Sequence, residues 1–471
     1  MRATLDISDC VDNGKLNGFQ IATGLLCGLC LVIDGFNVQS MSFVAPELFA
    51  DLKISPSALG SIFGAAALGT LLGSIMNGLL ADLFGRRPIL IFNTLLFGCV
   101  TLLTTRANTA QEFTVVRFLT GLGLGGILPS VMALMAECTP KKHRIMFMMV
   151  VSDGFTVGAA LSGLVSAWLI PSYGWRAVFY VGGTIPLVVA LVMWLVLPES
   201  LKFLTIRGED RRYTSNWWKR VHLRRNLTGS TAYQVCEDLL GRAPYAHLFR
   251  DGRAKLTLLL WAICFTTLVD FYFLSSWLPA VVKASGYPTS IAVLVGAMLQ
   301  VGGAAGALGL GWAIGKWGFS TVLGINFAVA CASITMIGRS GIPLAVLFIL
   351  VTLAGWCVVG GQSGINVLAG TFYPTYLRST GVGWCVGVGR LGSVLGPVIG
   401  GELIALKWST NGIFLAAAAP ALISATLLFT LGRIAKPANS AFSGEALPNP
   451  PDSGTSSPAF EDEGWTFQRL T

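Results

Sequence analysis

The sequence GLLADLFGRRP begins at Gly78 and separates two long apolar segments of the chain. Gly78 and Gly85 permit a tight turn and a close approach of the two segments. Asp82 can pair with a guanidinium or cap a neighbouring helix end, and Arg86 and Arg87 place two positive charges side by side. This stretch predicts a short polar turn that joins two apolar helices.

The two flanking segments belong to a set of twelve apolar stretches. A helix needs about 20 apolar residues to cross a membrane, because the hydrocarbon core is about 30 Å thick and each residue rises about 1.5 Å. All twelve stretches are near this length or longer. We number them spans 1 to 12, and they cover residues 19–44, 57–81, 88–105, 110–136, 145–170, 177–197, 256–282, 290–314, 320–337, 343–372, 380–406 and 411–431.

The composition agrees with a protein that is embedded in lipid. Hydrophobic residues make up 54% of the 471 residues and charged residues only 12%, and the mean hydropathy is +0.69. A water-soluble protein of this length could not keep so much apolar surface away from water. We therefore predict an all-α membrane protein and exclude a soluble enzyme.

The distribution of positive charge predicts how the chain is oriented. With both termini in the cytoplasm, 24 Lys and Arg residues fall in cytoplasmic segments and 6 fall in outside loops. Positive residues are retained on the cytoplasmic side of a membrane. We expect a multi-pass protein of the cytoplasmic (inner) membrane with both termini inside. This topology accounts for the net charge of +9, and we do not expect nucleic-acid binding.

The spans divide into two similar halves of six helices each. The spacing of the turn at Gly78 recurs after span 8, at Gly311, Gly315 and Gly318, as in transporters built from internal repeats. We expect a cytoplasmic N-terminal segment, two six-helix bundles, a cytoplasmic central loop between them, and a disordered cytoplasmic tail. The N-terminal segment is residues 1–18, and the two bundles are residues 19–197 and 256–434. The central loop is residues 198–255, and the tail is residues 435–471.

The turn at Gly78 resembles the GxxxDxxGRR signature of the major facilitator superfamily, which lies between spans 2 and 3. The resemblance implies twelve helices in two pseudo-symmetric halves. It also implies that the signature residues form a conformational latch on the cytoplasmic side, namely Gly78, Asp82, Gly85, Arg86 and Arg87.

Three more charged residues are candidates for gating. Arg117, in span 4, resembles an arginine found widely in the superfamily, which implies a structural or gating role more than substrate choice. Glu137 and Arg144 flank the turn between spans 4 and 5. We expect these two to pair at an inner gate.

Three further stretches narrow the resemblance. They are DGFNVQ from Asp34, RFLTGLGLGG from Arg117 and YPTYLRSTGVGWCVGVGRLGSVLGPVIGG from Tyr373. Together they resemble the aromatic acid:proton symporter branch of the superfamily, over nearly all of residues 19–431. This implies proton-coupled import, by alternating access, of a benzoate, a hydroxybenzoate or a methoxylated relative. One departure is Asn37, which stands where the branch usually has the second acid of a DGxD motif.

Carboxyl groups at membrane depth point to function independently, because they are costly unless paired or hydrated. Asp34 lies in span 1 and Asp270 in span 7, which are equivalent under the repeat. We predict that these acids bind the coupling protons, since burial favours the neutral carboxyl and a nearby guanidinium favours the carboxylate. A static pair with a cationic side chain is the alternative for each.

Arg390, in span 11, is our candidate receptor for the substrate carboxylate. A guanidinium stays charged and can bind a carboxylate through two hydrogen bonds. A fixed ion pair with Asp270 or Asp153 is the alternative. An aromatic substrate also needs a surface for its ring. The predicted substrate contacts on spans 1, 7 and 11 are Phe36, Asn37, Tyr272 and Trp384.

Other classes of protein are less well supported by the sequence. No GxxxxGK nucleotide loop appears, which argues against an ATP-driven pump. The ten cysteines are scattered, and we expect no metal, disulfide, cofactor or catalytic residue. A carrier of another organic anion and a drug-type exporter remain open as alternatives. A membrane-bound sensor or enzyme is a more distant one.

Overall fold

The computed structural model describes residues 4–6, 11, 16–200, 204, 232–234, 248–249, 253–339, 341–373 and 375–442. Within these residues, twelve helical spans are long and apolar enough to cross a membrane. The prediction of twelve spans in an all-α membrane protein is confirmed. Span 4 consists of two consecutive helices. The bounds are Gly18–Asp51, Pro56–Phe84, Arg86–Thr104, Ala110–Gly125 with Ile127–Cys138, Lys141–Tyr173, Arg176–Val196, Ala254–Ala284, Thr289–Trp317, Phe319–Ile337, Leu344–Phe372, Thr375–Ala405 and Thr410–Phe442.

The loops and tail differ from the prediction in two respects. Strand β1 (Thr4–Asp6) pairs in parallel with strand β2 (Ala232–Gln234), so the N-terminal segment contacts the central loop. Span 12 continues to Phe442, beyond the predicted start of the disordered tail. The rest of that tail, residues 443–471, and most of the central loop lie outside the described residues.

Local capping signals place the starts of several spans. Before span 1, the Asn17 side chain accepts a hydrogen bond from the Gln20 backbone, and the Gln20 side chain returns one from the Asn17 backbone. Thr109 and Glu112 form the same reciprocal cap before span 4. Such caps satisfy backbone N–H groups that have no partner within the helix.

The two halves repeat the same turn at equivalent places. Gly85 ends span 2 with a φ of 105°, and Gly318 ends span 8 with a φ of 80°. Each N–H donates to the carbonyl four residues earlier, on Ala81 and on Ile314. Only glycine adopts these positive φ values at little cost. The repeat predicted from the sequence is therefore a repeat of backbone geometry.

Close helix pairs also recur in both halves. Span 2 packs against span 4, and span 8 packs against span 10. Any side chain on Gly73 would clash with the Leu122 carbonyl, and any side chain on Gly306 would clash with the Trp356 carbonyl. Small residues at these positions let the backbones approach, which drives helix association in lipid.

Candidate functional site

The two halves pack together on one side of the membrane. Span 1 begins at Gly18 and ends at Asp51, and we name the two membrane sides after these residues. On the Asp51 side, span 2 packs tightly on span 11, where a Cβ on Gly60 would lie 3.0 Å from the Pro397 carbonyl oxygen. Spans 1 and 7, and spans 5 and 8, also pack across the halves.

Towards the Gly18 side, one face of span 11 has open space beside it among the described residues. Gly383, Gly387, Arg390 and Val394 share one helix face, because they lie four, three and four residues apart. Val394 contacts Gly64 of span 2, whereas a Cβ on Gly383 or Gly387 would meet no described atom within 4 Å. On this face of span 11, open space therefore begins near Arg390 and continues towards the Gly18 side, and we call this space the cavity.

Asp34 and Arg390 lie on opposite halves at this level. Asp34 is 5% exposed, and no described residue makes a hydrogen bond or ion pair with its carboxyl. Arg390 is the charged group that acts on it electrostatically. The Arg390 Nη1 lies 3.5 Å from the Tyr272 hydroxyl, and Tyr272 packs edge-on against Phe271. The structure therefore brings Asp34 and Tyr272 close to Arg390, which lies where the cavity begins.

Asn37 and Phe36 point into the first half and not into the cavity. The Asn37 Nδ2 donates to the Gly182 carbonyl at 2.7 Å, and its Oδ1 accepts from the Thr101 hydroxyl at 3.0 Å. Phe36 packs beside Gly182. An ionised aspartate at position 37 could not donate to that carbonyl, whereas the amide donates and accepts at once. A substrate could reach Asn37 only by displacing these bonds.

Trp384 lies on the outer face of span 11. It is 47% exposed and shares a helix face with Leu391, Leu395 and Ile399, which are also exposed. Its ring stacks on Trp261 at 5.6 Å. An exposed apolar stripe on a membrane-spanning helix faces lipid. The substrate contact predicted for Trp384 would require a different conformation.

Asp270 is enclosed within the second half. Its exposure is 0%, and neither carboxyl oxygen has a hydrogen-bond partner among the described residues. Its electrostatic neighbours are Cys331 in span 9 and Cys357 in span 10. The carboxyl therefore lies inside the second bundle and does not meet Arg390.

Arg117 is a buried cation in the first half. Its guanidinium lies 4.5 Å from the centre of the Phe179 ring, so a cation–π contact partly offsets burial. Within the part of the chain that the structure describes, the Nε and Nη2 atoms have no hydrogen-bond partner. This arrangement leaves two donors for an anion or for a carbonyl that becomes available in another conformation.

The turn between spans 2 and 3 is held by two acids. Arg86 pairs with Glu137 at 3.1 Å, and the backbone N–H groups of Arg86 and Arg87 donate to Glu199. Arg87 also donates to the Trp194 carbonyl. These contacts lie within the first half and join the turn to spans 4 and 6.

The remaining latch and gate residues have different surroundings. Gly78 faces open space among the described residues. The side chain of Asp82 lies outside the described part of the chain. The Arg144 guanidinium donates to the Thr139 carbonyl at 3.1 Å, so the predicted partner Glu137 contacts Arg86 instead.

Comparison with known proteins identifies the fold and the branch. The family model described as Major Facilitator Superfamily matches residues 27–342. The chain belongs to the major facilitator superfamily. It is 36% identical to the 4-hydroxybenzoate transporter PcaK of Pseudomonas putida, over 92% of this chain and 96% of that protein. It is 32% identical to a gallate transporter of Pseudomonas putida, over 91% of this chain and 96% of that protein. The predicted resemblance is confirmed, and the protein is a membrane transporter and not an enzyme.

Solved structures share the major facilitator fold with this transporter. A bacterial homolog of the human lysosomal transporter Spinster has a TM-score of 0.71 at 17% identity, over 89% of this chain and 98% of that chain. The Escherichia coli xylose transporter XylE has a TM-score of 0.69 at 16% identity, over 88% of this chain and 98% of that chain. At these identities they establish the fold alone.

Sequence reasoning missed the polar groups that join the halves of this major facilitator protein. On the Asp51 side, Lys283 pairs with Glu47 at 2.7 Å, and Thr289 donates to the same carboxyl. Ser57 donates to Glu402. Their signal in the sequence is weak, because polar residues near span ends are expected at any membrane surface.

Glu199 and one cysteine pair were also missed. Glu199 lies beyond the end of span 6, so a search for charges within the membrane does not find it. It is 7% exposed, and burial raises the pKa of its carboxyl although the N–H donors and Arg86 oppose the shift. Cys264 and Cys385 form a disulfide between spans 7 and 11, where the scattered cysteines predicted none.

Proposed function

We propose that this transporter imports an aromatic carboxylate together with protons by alternating access across the cytoplasmic membrane. The observation that carries the proposal is the placement of Asp34 and Arg390 on opposite halves, close enough to interact electrostatically and next to the open space beside span 11. One half thereby offers a carboxyl that can take a proton, and the other offers a guanidinium that can bind an anion.

The substrate class follows from the chemistry around Arg390. Its planar guanidinium can bind a carboxylate with two hydrogen bonds, and the Tyr272 hydroxyl within 3.5 Å adds a further polar contact. Phe271 and Tyr272 present aromatic faces and edges beside it, which suit a benzene ring. The names of the relatives, a 4-hydroxybenzoate and a gallate transporter, support the same class.

The proposed coupling is electrostatic. An empty cavity holds the charges of Asp34 and Arg390 in a poorly solvated place, which opposes closure. A proton on Asp34 and a carboxylate on Arg390 neutralise both charges, so the loaded cavity can close. The halves then rock between the two openings.

The gate residues complete this proposal. We place the Gly18 side in the cytoplasm, so the Glu47–Lys283 pair closes the outer side in the state described above. The turn at Gly85, with Arg86, Arg87 and Glu137, would be the inner latch. Arg117 would respond to opening through its two unoccupied donors.

Uptake into proteoliposomes tests this function. Labelled 4-hydroxybenzoate, gallate and benzoate are presented with an inward proton gradient and again with the gradient collapsed. We expect gradient-dependent accumulation of at least one acid by the wild type and none by Arg390→Gln. Arg339→Gln is the matched control, because Arg339 is exposed on the Asp51 side of the second half. Uptake of none of the acids, or equal uptake without the gradient, would refute the substrate or the coupling respectively.

A further inference from the structure

A cluster of neutral polar groups crosses between the halves near the middle of the membrane. The Gln39 Nε2 of span 1 donates to the Ser275 carbonyl of span 7 at 2.8 Å, and to the Ser42 hydroxyl at 3.1 Å. The Gln300 Nε2 of span 8 donates to the Gln39 Oε1 at 3.2 Å and to the Ser275 hydroxyl at 3.0 Å. All four residues are buried.

This cluster lies on the Asp51 side of Asp34 and Tyr272. Gln39 lies five residues beyond Asp34 along span 1, and Ser275 lies three residues beyond Tyr272 along span 7. At about 1.5 Å per residue, the cluster is about 7.5 Å and about 4.5 Å farther towards the Asp51 side. One aromatic ring can bridge these distances when its carboxylate is held at Arg390.

Opening the Asp51 side must break these bonds. Gln39 belongs to the first half, and Ser275 and Gln300 belong to the second, so separation of the halves removes two hydrogen bonds from the Gln39 amide. Buried amide groups are costly without partners. In the open state the amides of Gln39 and Gln300 therefore need water or a ligand.

A ring hydroxyl has the chemistry that matches this need. A hydroxyl donates one hydrogen bond and accepts others. The Gln300 Oε1 accepts no hydrogen bond from any described residue, so it is available as an acceptor. The Gln39 Nε2, once released from the Ser275 carbonyl, is a donor.

We propose that Gln39, Ser275 and Gln300 bind the ring hydroxyl of the substrate and select hydroxylated aromatic acids over benzoate. The proposal rests on the proposed function, because it takes Arg390 as the receptor of the carboxylate. In this arrangement Arg390 binds the carboxylate of the substrate, and the three polar side chains bind its ring hydroxyl at the other end. Substrate release restores the amide bonds between the halves, so the same groups close the cavity.

The test compares initial uptake of 4-hydroxybenzoate and benzoate by Gln300→Leu in proteoliposomes. We expect the ratio of kcat/KM for 4-hydroxybenzoate over that for benzoate to fall about tenfold, because the hydroxyl loses its partners while the carboxylate keeps Arg390. Ser275→Ala removes one hydroxyl and leaves the carbonyl that Gln39 uses. It should lower the ratio in the same direction by a smaller factor.

Asn326→Leu is the matched control, since the Asn326 amide is buried and bonds only to the Cys357 carbonyl within the second half. It should leave the ratio unchanged. If Gln300→Leu and Ser275→Ala reduce uptake of both acids equally, the cluster serves closure alone and the selectivity proposal is overturned. If the wild type takes up neither acid, the proposed function itself fails and this proposal falls with it.

Discussion

Asp34 and Asp270 occupy equivalent places in the two halves and have opposite surroundings. Asp34 lies sixteen residues after Gly18, the first residue of span 1, and Asp270 lies sixteen residues after Ala254, the first residue of span 7. Asp34 has Arg390 of the other half as an electrostatic neighbour, whereas neither oxygen of the Asp270 carboxyl has a hydrogen-bond partner among the described residues. The repeat places an acid at the same position in both halves, but among the described residues only Asp34 faces a charged group of the other half.

The difference has a chemical consequence. A carboxylate at Asp270 would be an uncompensated charge in a low-dielectric bundle, which is far more costly than a neutral carboxyl. Burial without a charged partner therefore favours the neutral form of the Asp270 carboxyl in this conformation. Asp34 differs because the charge of Arg390 acts on it.

Asp34→Asn should have the largest effect on transport. The amide cannot take a proton, so we expect accumulation driven by a proton gradient to fall to equal concentrations inside and outside. Exchange of labelled for unlabelled substrate should continue, because it needs no net proton movement. Uptake and exchange in the same proteoliposomes check this, and full accumulation by the variant would remove Asp34 from coupling.

Arg390→Lys tests the partner that distinguishes Asp34 from Asp270. Lysine keeps the positive charge and loses the planar pair of donors. We expect the apparent KM for the aromatic acid to rise about tenfold, with a smaller change in kcat. The reason is that a bidentate contact contributes about a tenfold factor to the affinity for the carboxylate. An unchanged KM would show that the carboxylate binds elsewhere.

Glu199→Ala tests a buried acid that, unlike Asp270, accepts hydrogen bonds from described residues. The change leaves three backbone N–H groups, on Arg86, Arg87 and Ser200, without their acceptor. We expect a loss of about 1 to 2 kcal/mol of stability, seen as a lower thermal unfolding midpoint of the purified protein. An unchanged midpoint would mean that water replaces the carboxylate at no cost.

The same variant has an expected pH signature. Burial raises the pKa of Glu199, so the folded protein keeps this proton at a pH where the unfolded chain has lost it. The contribution of this group to stability therefore declines as pH rises from the ordinary Glu value of about 4.3 through the raised value. Unfolding midpoints measured across this range should show the decline in the wild type and lack it in Glu199→Ala.

Asp270→Asn should have the smallest effect. A protonated carboxyl and an amide have nearly the same shape and charge, so we expect accumulation to change by less than about twofold and stability to stay within about 1 kcal/mol. The assay is the one used for Asp34→Asn. Loss of accumulation in Asp270→Asn would show that the second acid exchanges protons during the cycle, as its equivalence to Asp34 first suggested.

The fold could be predicted from the sequence almost completely. The lengths of the apolar stretches indicate the twelve spans, and the turn at Gly78 with its repeat indicates the two halves. Both signals are strong because a lipid bilayer requires long apolar helices joined by polar turns. Span 1 extends past residue 44 to Asp51 because its last turns pack against the other half, and hydropathy does not register such contacts.

The site could be predicted only in part. Charge at membrane depth singled out Asp34 and Arg390, and both lie at the cavity. It did not separate Asp270 from Asp34, since the difference lies in what surrounds each helix and not in the charge of the residue. The substrate contact of Trp384 stays a prediction, because lipid-facing and cavity-facing aromatic residues have the same spacing in a sequence. Gln39 carries no charge and was not singled out.

The most direct test of the account is proton uptake on substrate binding by the purified transporter. A pH indicator in weakly buffered solution reports protons taken up when 4-hydroxybenzoate is added to the wild type, Asp34→Asn and Asp270→Asn. The account predicts uptake of protons by the wild type and by Asp270→Asn, and binding without proton uptake by Asp34→Asn. Proton uptake by Asp34→Asn that equals the wild type would contradict the assignment of the coupling proton to Asp34.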